Sequence, residues 1–215
     1  MKTVLLAEDH TLVRTGIRTM LETAARLRVV GEANDGRQAV QLFNELHPDL
    51  AILDVTMPSL NGIEAARQIV AEHSGARIIM LSMHNDAQYV LESLRAGAAG
   101  YVRKDAAFTE LLAAIETVLD GRTYLSPPLA ELVANSYIRM ARGESATNEL
   151  AKLSGREREI LQLISEGHSS AKIAEMLFIS IRTVDTHRQH IMAKLGVHNV
   201  AGLTKLAIRH GLCEP

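Results

Sequence analysis

Short apolar runs alternate with amphipathic stretches along the first 120 residues of the chain. Continuous apolar runs of this length are typical of strands buried on both faces of a parallel sheet, whereas apolar residues at helical spacing indicate helices. The predicted strands are 3–7, 28–33, 50–53, 77–81 and 100–103. The predicted helices are 12–23, 39–46, 63–72, 86–96 and 107–120. Strand and helix signals that alternate in this way predict an α/β domain with helices on both sides of its sheet.

The pattern changes after residue 121, so we place the first domain at 1–121. Residues 122–149 hold Ser126-Pro127-Pro128, a helical stretch at 129–140 and a polar segment at 142–149. Proline pairs and small polar residues favour linkers, and we therefore interpret 122–149 as a linker that contains a helix. The sequence leaves open which domain this helix packs against.

Residues 150–215 show helical patterns without a strand pattern, which predicts an all-α domain. The S-x-x-E motif at 154–157 predicts a capping box and a helix that runs to about residue 166. Helices 170–177 and 181–195 are joined by a short turn, and a last helix covers 200–210. Two helices joined in this way form a helix-turn-helix, although a plain helical bundle gives many similar patterns.

Composition and charge refine this division. The chain has 215 residues, 47% of them hydrophobic, which is ordinary for soluble globular domains. No apolar stretch is long enough to span a membrane and Cys213 is the only cysteine, so we expect a cytoplasmic protein without a membrane partner. Residues 150–215 carry nine Lys and Arg against six Asp and Glu (net +3), and residues 1–149 carry fourteen against nineteen (net −5). An acidic first part and a basic second part predict different partners.

Polar side chains with complementary chemistry follow four of the predicted strands. Glu8 and Asp9 follow the first strand, Asp54 the third, Ser82 the fourth and Lys104 the fifth. The carboxyl ends of parallel strands form the edge where open α/β sheets bind ligands. Three carboxylates at one edge repel one another unless they are protonated or neutralised, and oxygen ligands suit a hard cation such as Mg²⁺. The sequence therefore predicts a Mg²⁺ site beside a hydroxyl and an ammonium.

The motifs at these strand ends resemble those of response-regulator receiver domains. The matching segments are E-D-H at 8–10, D-V-T-M-P at 54–58, L-S at 81–82 and G-Y-V-R-K at 100–104. The resemblance implies a flavodoxin-like fold whose parallel sheet has five strands in the order 2-1-3-4-5. It also implies that a sensor histidine kinase phosphorylates Asp54.

The same resemblance implies a role for each group at this edge. The ligands of Mg²⁺ would be Glu8, Asp9, Asp54 and the backbone carbonyl of Thr56. The groups that bind the phosphoryl group and respond to it would be Ser82, Tyr101 and Lys104. A metal ion and a lysine suit this task because phosphoryl transfer spreads negative charge over the equatorial oxygens.

One helix of the second domain has a face suited to DNA. With Val184 as the buried reference and about 100° per residue, Ile191 and Leu195 lie on the buried side. The opposite face, called here the groove face, is polar and short-chained, as expected for a helix that lies against base edges. It comprises Arg182, Thr186, Gln189 and Ala193, with Asp185 and His190 at its margins.

Further residues around the groove face are candidates for contacts with the DNA backbone. Arg182 and Thr183 lie at the helix start, where amides and side chains can hold a phosphate. Arg188 and Lys194 flank the groove face. Asp185 is unusual beside DNA, because it repels phosphates unless it accepts a hydrogen bond from cytosine N4.

Three segments of the second domain resemble the LuxR-type helix-turn-helix. They are L-S-G-R-E-R-E-I-L at 153–161, I-S-I-R-T-V-D-T-H-R at 179–188 and K-L-G-V at 194–197. With a receiver in front of it, the chain is similar to the NarL/FixJ class of two-component response regulators. This implies a transcription regulator that binds double-stranded DNA through residues 150–215. Because one domain of net charge +3 with one short reading helix should bind a half-site weakly, we expect a homodimer on two half-sites when Asp54 is phosphorylated.

Two other functions stay open at this point. An aspartyl phosphate at Asp54 would also suit a small phosphotransferase or phosphatase, although aspartate-nucleophile hydrolases carry a second acid where this chain has Thr56. The second alternative is that the first domain docks other proteins without any role for a phosphoryl group. We expect no enzyme, only a protein that accepts a phosphoryl group on Asp54 and loses it slowly by itself.

Overall fold

The computed structural model describes residues 1–24, 26–84, 86–141 and 149–213. The chain divides into two compact units. Within the described ranges, the first unit contains a parallel sheet and six α-helices, and the second contains four α-helices and a short 3₁₀ turn. No helix in these ranges is long and apolar enough to cross a membrane.

The sheet of the first unit has six parallel strands in the order β2-β1-β3-β4-β5-β6. The strands are β1 Lys2–Ala7, β2 Leu27–Ala33, β3 Leu50–Asp54, β4 Ile78–Ser82, β5 Gly100–Arg103 and β6 Tyr124–Leu125. The flavodoxin-like fold and the order 2-1-3-4-5 are confirmed, but the predicted number of five strands is one too low. β6 contributes two residues, and a run of that length shows no periodicity in the sequence.

The helices of the first unit are α1 Thr11–Thr23, α2 Gly36–Leu46, α3 Gly62–Glu72, α4 Ala87–Arg95, α5 Phe108–Leu119 and α6 Pro127–Ala141. α2 begins earlier than predicted because Asp35 caps it, accepting a hydrogen bond from the Gln38 backbone N–H at 2.8 Å. α6 also begins earlier, since proline is tolerated in the first helical turn.

The packing of α6 answers the question that the sequence left open. This helix packs against α4 in the first unit, and its Leu129 is buried. Most of the polar segment predicted at 142–149 lies outside the described residues.

Buried aliphatic side chains hold the sheet in place. β3 and β4 are buried at every position. On one side of the sheet, Leu6, Ile52 and Leu81 belong to a cluster that includes Leu21 of α1 and Ile115 of α5. Residues that follow these strands therefore start from a rigid support.

The second unit packs its helices around a smaller core. The elements of this unit are the 3₁₀ turn Glu149–Lys152 and the helices α7 Gly155–Ser165, α8 Ser170–Leu177, α9 Ile181–Leu195 and α10 Val200–Arg209. Its fully buried members include Leu163, Ile173, Val184, Ile191 and Leu203. The bounds of α8 and α9 agree with the prediction, and the domain is helical as expected.

Candidate functional site

Asp54 lies at the carboxyl end of β3, between the ends of β1 and β4. In the register of the sheet, Leu53 is opposite Ala7 and Asp54 is opposite Leu81. Asp54 is 3% exposed. Gly62, the first residue of α3, passes directly behind it, and a Cβ on Gly62 would lie 1.9 Å from the carbonyl oxygen of Asp54. Only glycine permits this approach, which fixes the backbone that carries Asp54.

Lys104 lies between the carboxylates of Asp54 and Glu8. Its Nζ is 2.8 Å from Oδ2 of Asp54 and 2.7 Å from Oε2 of Glu8. The side chain of Glu8 is fully buried, and that of Lys104 is 13% exposed. Its backbone N–H donates to the carbonyl oxygen of Ser82 at 2.9 Å, which ties the end of β5 to the end of β4. One ammonium thus serves two buried carboxylates, and the trio is net negative when both are ionised.

Burial raises the pKa of Asp54 to about 7, because desolvation disfavours the carboxylate. The ammonium of Lys104 opposes this rise, and the charge of Glu8 adds to it. Burial alone would lower the pKa of Lys104, but Asp54 and Glu8 outweigh burial and raise that pKa. The buried carboxylate of Asp54 would therefore gain from a further cation.

Glu8, Asp9 and His10 form an acidic corner beside this trio. One ligand atom from each of these three residues lies within 4.8 Å of the other two. His10 Nδ1 is 2.8 Å from Oδ1 of Asp9, and this hydrogen bond raises the pKa of His10. His10 was not among the ligands predicted from the sequence. Asp54 is joined to the corner through Lys104, and the metal-binding roles of Glu8, Asp9, Asp54 and Thr56 stay predictions.

Ser82 and Tyr101 hold the loop that follows β4. The Oγ of Ser82 accepts the backbone N–H of His84 at 2.9 Å, and the hydroxyl of Tyr101 donates to the carbonyl oxygen of His84 at 2.9 Å. The ring of His84 stacks on Tyr89 of α4 with 4.3 Å between centroids. Tyr101 is fully buried, and burial raises its pKa to about 12. The two predicted switch residues therefore lie on neighbouring strands and both form a hydrogen bond with His84 in this loop.

The groove face of α9 is exposed, as predicted. Val184, Ile191 and Leu195 are buried on the other side of the helix. The side chains of Arg182 and Gln189 form no hydrogen bond with any described residue. The hydroxyl of Thr186 donates to a backbone carbonyl of its own helix at 2.9 Å.

The start of α9 is fixed by its cap. The oxygen of the Ser180 side chain accepts a hydrogen bond from the Thr183 backbone N–H at 3.1 Å and lies 2.8 Å from the Thr183 hydroxyl.

Two charged side chains of α9 contact α8. Arg188 donates through Nη1 to the hydroxyl of Ser170 on α8 at 3.0 Å, and Asp185 accepts from the same hydroxyl at 2.9 Å. Ser170 was not among the residues predicted from the sequence, because its contact with α9 depends on tertiary packing.

Lys194 makes a contact that the sequence did not predict. Its Nζ lies 2.8 and 2.7 Å from the two carboxylate oxygens of Glu157. Glu157 also completes the predicted capping box with Ser154 at the start of α7. Burial would raise the pKa of Glu157, but the hydrogen bonds from Lys194 and Ser154 lower it to about 2. A DNA contact by Lys194, which stays a prediction, would have to compete with this ion pair.

Comparison with known proteins agrees with both units. Residues 4–116 match the response regulator receiver domain family, and residues 151–207 match the family described as bacterial regulatory proteins, luxR family. The chain is 40% identical over 211 residues to the response regulator UvrY of Escherichia coli (strain K12), covering 98% of this chain and 95% of UvrY. It is 37% identical over 214 residues to the oxygen regulatory protein NreC of Staphylococcus aureus (strain JH9), covering 98% and 99%.

A solved structure matches over nearly the whole length. It is RcsB from Salmonella enterica serovar Typhimurium, bound to promoter rprA in the presence of the phosphomimetic BeF3⁻. The two chains are 29% identical, with a TM-score of 0.57 and coverage of 96% of this chain and 98% of RcsB.

The sheet edge around Asp54 and the helix-turn-helix of α8 and α9 define a receiver domain followed by a LuxR-type DNA-binding domain. The chain belongs to the NarL/FixJ family of two-component response regulators, which are transcription regulators.

Proposed function

We propose that Asp54 is the phosphoryl acceptor of this regulator and that a sensor histidine kinase is the donor. The observation that carries the proposal is the placement of Lys104, whose Nζ is 2.8 Å from Oδ2 of Asp54. Positive charge held at the accepting oxygen stabilises the charge that develops on a transferring phosphoryl group. Gly62 supports Asp54 from behind, and Ser82 follows the neighbouring strand, where its hydroxyl would contact the bound phosphoryl group.

Mg²⁺ fits this edge of the sheet. The acidic corner offers oxygen ligands, and burial, which raises the pKa of Asp54 to about 7, means that a further cation would favour its ionised form. The proposed ligands are Glu8, Asp9, Asp54 and the carbonyl oxygen of Thr56. Bound there, Mg²⁺ would neutralise negative charge on the phosphoryl oxygens. We assign to Ser82 and Tyr101 the response to phosphorylation, since both hold the loop at His84.

Phosphorylation of Asp54 can be tested with acetyl phosphate and Mg²⁺. We expect mass spectrometry to find one phosphoryl group on the wild-type chain and none on Asp54→Asn, which keeps the shape without the nucleophile. Asp120→Asn, a change of an exposed acid, is the matched control and should be labelled like the wild type. Undiminished labelling of Asp54→Asn would refute the assignment. The released inorganic phosphate is measured in parallel, and rapid release far beyond one equivalent per chain would favour an enzyme that uses acetyl phosphate as a substrate.

We propose further that the groove face of α9 binds the major groove of double-stranded DNA. Arg182, Thr186 and Gln189 are exposed there, while Thr183 and Arg188 lie where phosphates would pass. One short helix on a domain of net charge +3 gives little affinity for a half-site. Useful affinity therefore requires a homodimer, in which the second half-site is bound at high effective concentration. The RcsB relative, seen on promoter DNA, supports this proposal.

Selection of bound sequences from random DNA tests this part of the proposal. The selection is run on the phosphorylated and the unphosphorylated full chain at one salt concentration. We expect the phosphorylated chain to enrich two copies of one short sequence at a fixed spacing. Enrichment of no sequence, in either state, would refute specific DNA binding.

A further inference from the structure

A pair of hydrogen bonds links the start of α8 to two charged residues of α9. The hydroxyl of Ser170 donates to Oδ1 of Asp185 at 2.9 Å and accepts from Nη1 of Arg188 at 3.0 Å. A serine hydroxyl has one donor and two acceptor sites, so both hydrogen bonds form at once. Ser170 thus bridges an acid and a base that lie on the same helix.

Asp185 is the residue at the groove face that DNA tolerates least. It is exposed, and a carboxylate repels the phosphates on either side of the groove. It becomes favourable only where it accepts a hydrogen bond from a base, such as the N4 amino group of cytosine. Because Ser170 holds one oxygen of Asp185, the other oxygen keeps a defined direction and little rotamer entropy is lost on binding. A restrained carboxylate therefore selects its base pair more sharply than a mobile one.

Arg188 is affected by the same bridge. Asp185 and Arg188 are three residues apart, a spacing at which acidic and basic side chains on a helix commonly pair. Ser170 lies between them and is the only hydrogen-bond partner of the Asp185 side chain among the residues that the structure describes. A direct ion pair would satisfy both charges and remove both from DNA. The bridge uses one of the five N–H donors of Arg188, so the others stay available for a phosphate.

We propose that Ser170, a residue of α8, determines base specificity by positioning these two residues of α9. It holds Asp185 in the direction in which this carboxylate selects a base pair, and it keeps Arg188 for the DNA backbone. The inference rests on the proposed binding of DNA by α9.

The test compares variants of the phosphorylated full chain on one operator and on its single base-pair substitutions. Asp185→Ala identifies the base pair that Asp185 selects, as the position where discrimination is lost. We expect Ser170→Ala to lose about fivefold or more of the discrimination at that same base pair. Ser170→Thr keeps the hydroxyl and should restore it. In the Asp185→Ala background, Ser170→Ala should change no further preference.

Ser165→Ala is the matched control, because the Ser165 hydroxyl donates to the Leu161 carbonyl oxygen within α7. It should leave every preference unchanged. A merely structural role of Ser170 would lower affinity for all sequences alike, since unfolded protein binds none of them, and would leave the ratios intact.

Three results would overturn the inference. They are wild-type preferences in Ser170→Ala, an equal loss at every base pair, and an Asp185→Ala variant that discriminates like the wild type. A wild-type chain that binds all sequences alike would instead refute the proposed DNA binding itself.

Discussion

The strand-end site around Asp54 and the groove face of α9 use polar side chains in opposite ways. At the receiver edge, Glu8, Asp54 and Lys104 lie at the ends of three strands and are largely buried, and the ammonium of Lys104 lies within 3 Å of both carboxylates. On α9, Arg182 and Gln189 lie about two turns apart on one helix, are exposed and have no side-chain hydrogen-bond partner among the described residues. The first site is organised in advance, as the proposed binding of a small ion or phosphoryl group requires, whereas the exposed side chains of the second suit the proposed binding of DNA.

The charged residues beside the groove face are intermediate, because they are exposed or half-buried but already have a partner within the protein. Arg188 and Asp185 are held by Ser170, and Lys194 is held by Glu157. Contacts within the protein therefore restrain some of the charged side chains near the groove face before any partner binds. Variants at the organised site should therefore change the free energy of unfolding, and variants on the groove face should change base preference while leaving that free energy unchanged.

The largest effect is expected when a side chain is added at Gly62, whose backbone lies against that of Asp54. In Gly62→Ala the new Cβ would lie 1.9 Å from the Asp54 carbonyl oxygen, so β3 or α3 must move. We expect a loss of about 3 kcal/mol in the free energy of unfolding, together with weaker phosphorylation. Gly75→Ala is the matched control, because nothing lies within 4 Å of a Cβ there. Urea unfolding measures both variants, and equal stability would contradict the close approach.

Removal of the charge of Asp54 should stabilise the receiver in the absence of divalent cations. The pKa of Asp54 is raised from 3.8 to about 7, so between these values the folded state binds more protons than the unfolded state. The free energy of unfolding therefore falls as pH rises through this range. We expect Asp54→Asn to be more stable than the wild type by about 2 kcal/mol above pH 7, with a flatter pH profile. Chemical unfolding at several pH values measures the free energy of unfolding of both proteins. Equal values for the wild type and Asp54→Asn above pH 7 would contradict this prediction.

The groove face should respond through specificity. Gln189→Ala removes an exposed side chain that forms no hydrogen bond with any described residue, so the free energy of unfolding of the variant should match that of the wild type. We expect discrimination at one base pair to fall about tenfold, as for the loss of a bidentate contact. Gln41→Ala, a surface glutamine of α2, is the control. Fluorescence anisotropy on operator variants measures the effect, and unaltered preference at all positions would show that our placement of the groove face is wrong.

The smallest expected effect concerns the ion pair of Glu157 and Lys194. The pKa of Glu157 is lowered from 4.5 to about 2, so its contribution is present above about pH 4.5 and is lost as pH falls towards 2. Glu157→Gln should cost about 1 kcal/mol at neutral pH, because Lys194 is 42% exposed and solvent screens the pair. Glu175→Gln removes the exposed partner of Lys172 and serves as control. The helix content of the wild type and of both variants is followed as the pH is lowered. If all three proteins lose helix content at the same pH, the Glu157–Lys194 pair does not make this contribution.

Much of the fold could be predicted from the sequence, because buried strands and amphipathic helices leave long periodic patterns. Features without such a pattern were missed, such as the two-residue strand β6 and the start of α6 at Pro127. The groups at the strand ends were predicted from chain position, since parallel strands bring their carboxyl ends to one edge. His10 in the acidic corner was missed, because its nearness to both acids depends on side-chain geometry.

Contacts between distant helices could not be predicted at all. Lys194 pairs with a residue 37 positions earlier, and Ser170 bonds to Asp185 and Arg188 across the turn of the helix-turn-helix. These contacts depend on how α7, α8 and α9 pack, which the periodicity of each helix leaves undetermined.

The central claim is that a phosphoryl group on Asp54 controls DNA binding by α9. The most direct measurement is the affinity of the full chain for its selected operator at one salt concentration, before and after treatment with acetyl phosphate and Mg²⁺. We predict that the treated wild type binds about tenfold or more tightly, as expected when a second half-site is engaged, and that treated Asp54→Asn binds like the untreated wild type. Equal affinity of the treated and untreated wild type, with labelling of Asp54 verified by mass spectrometry, would contradict the claim.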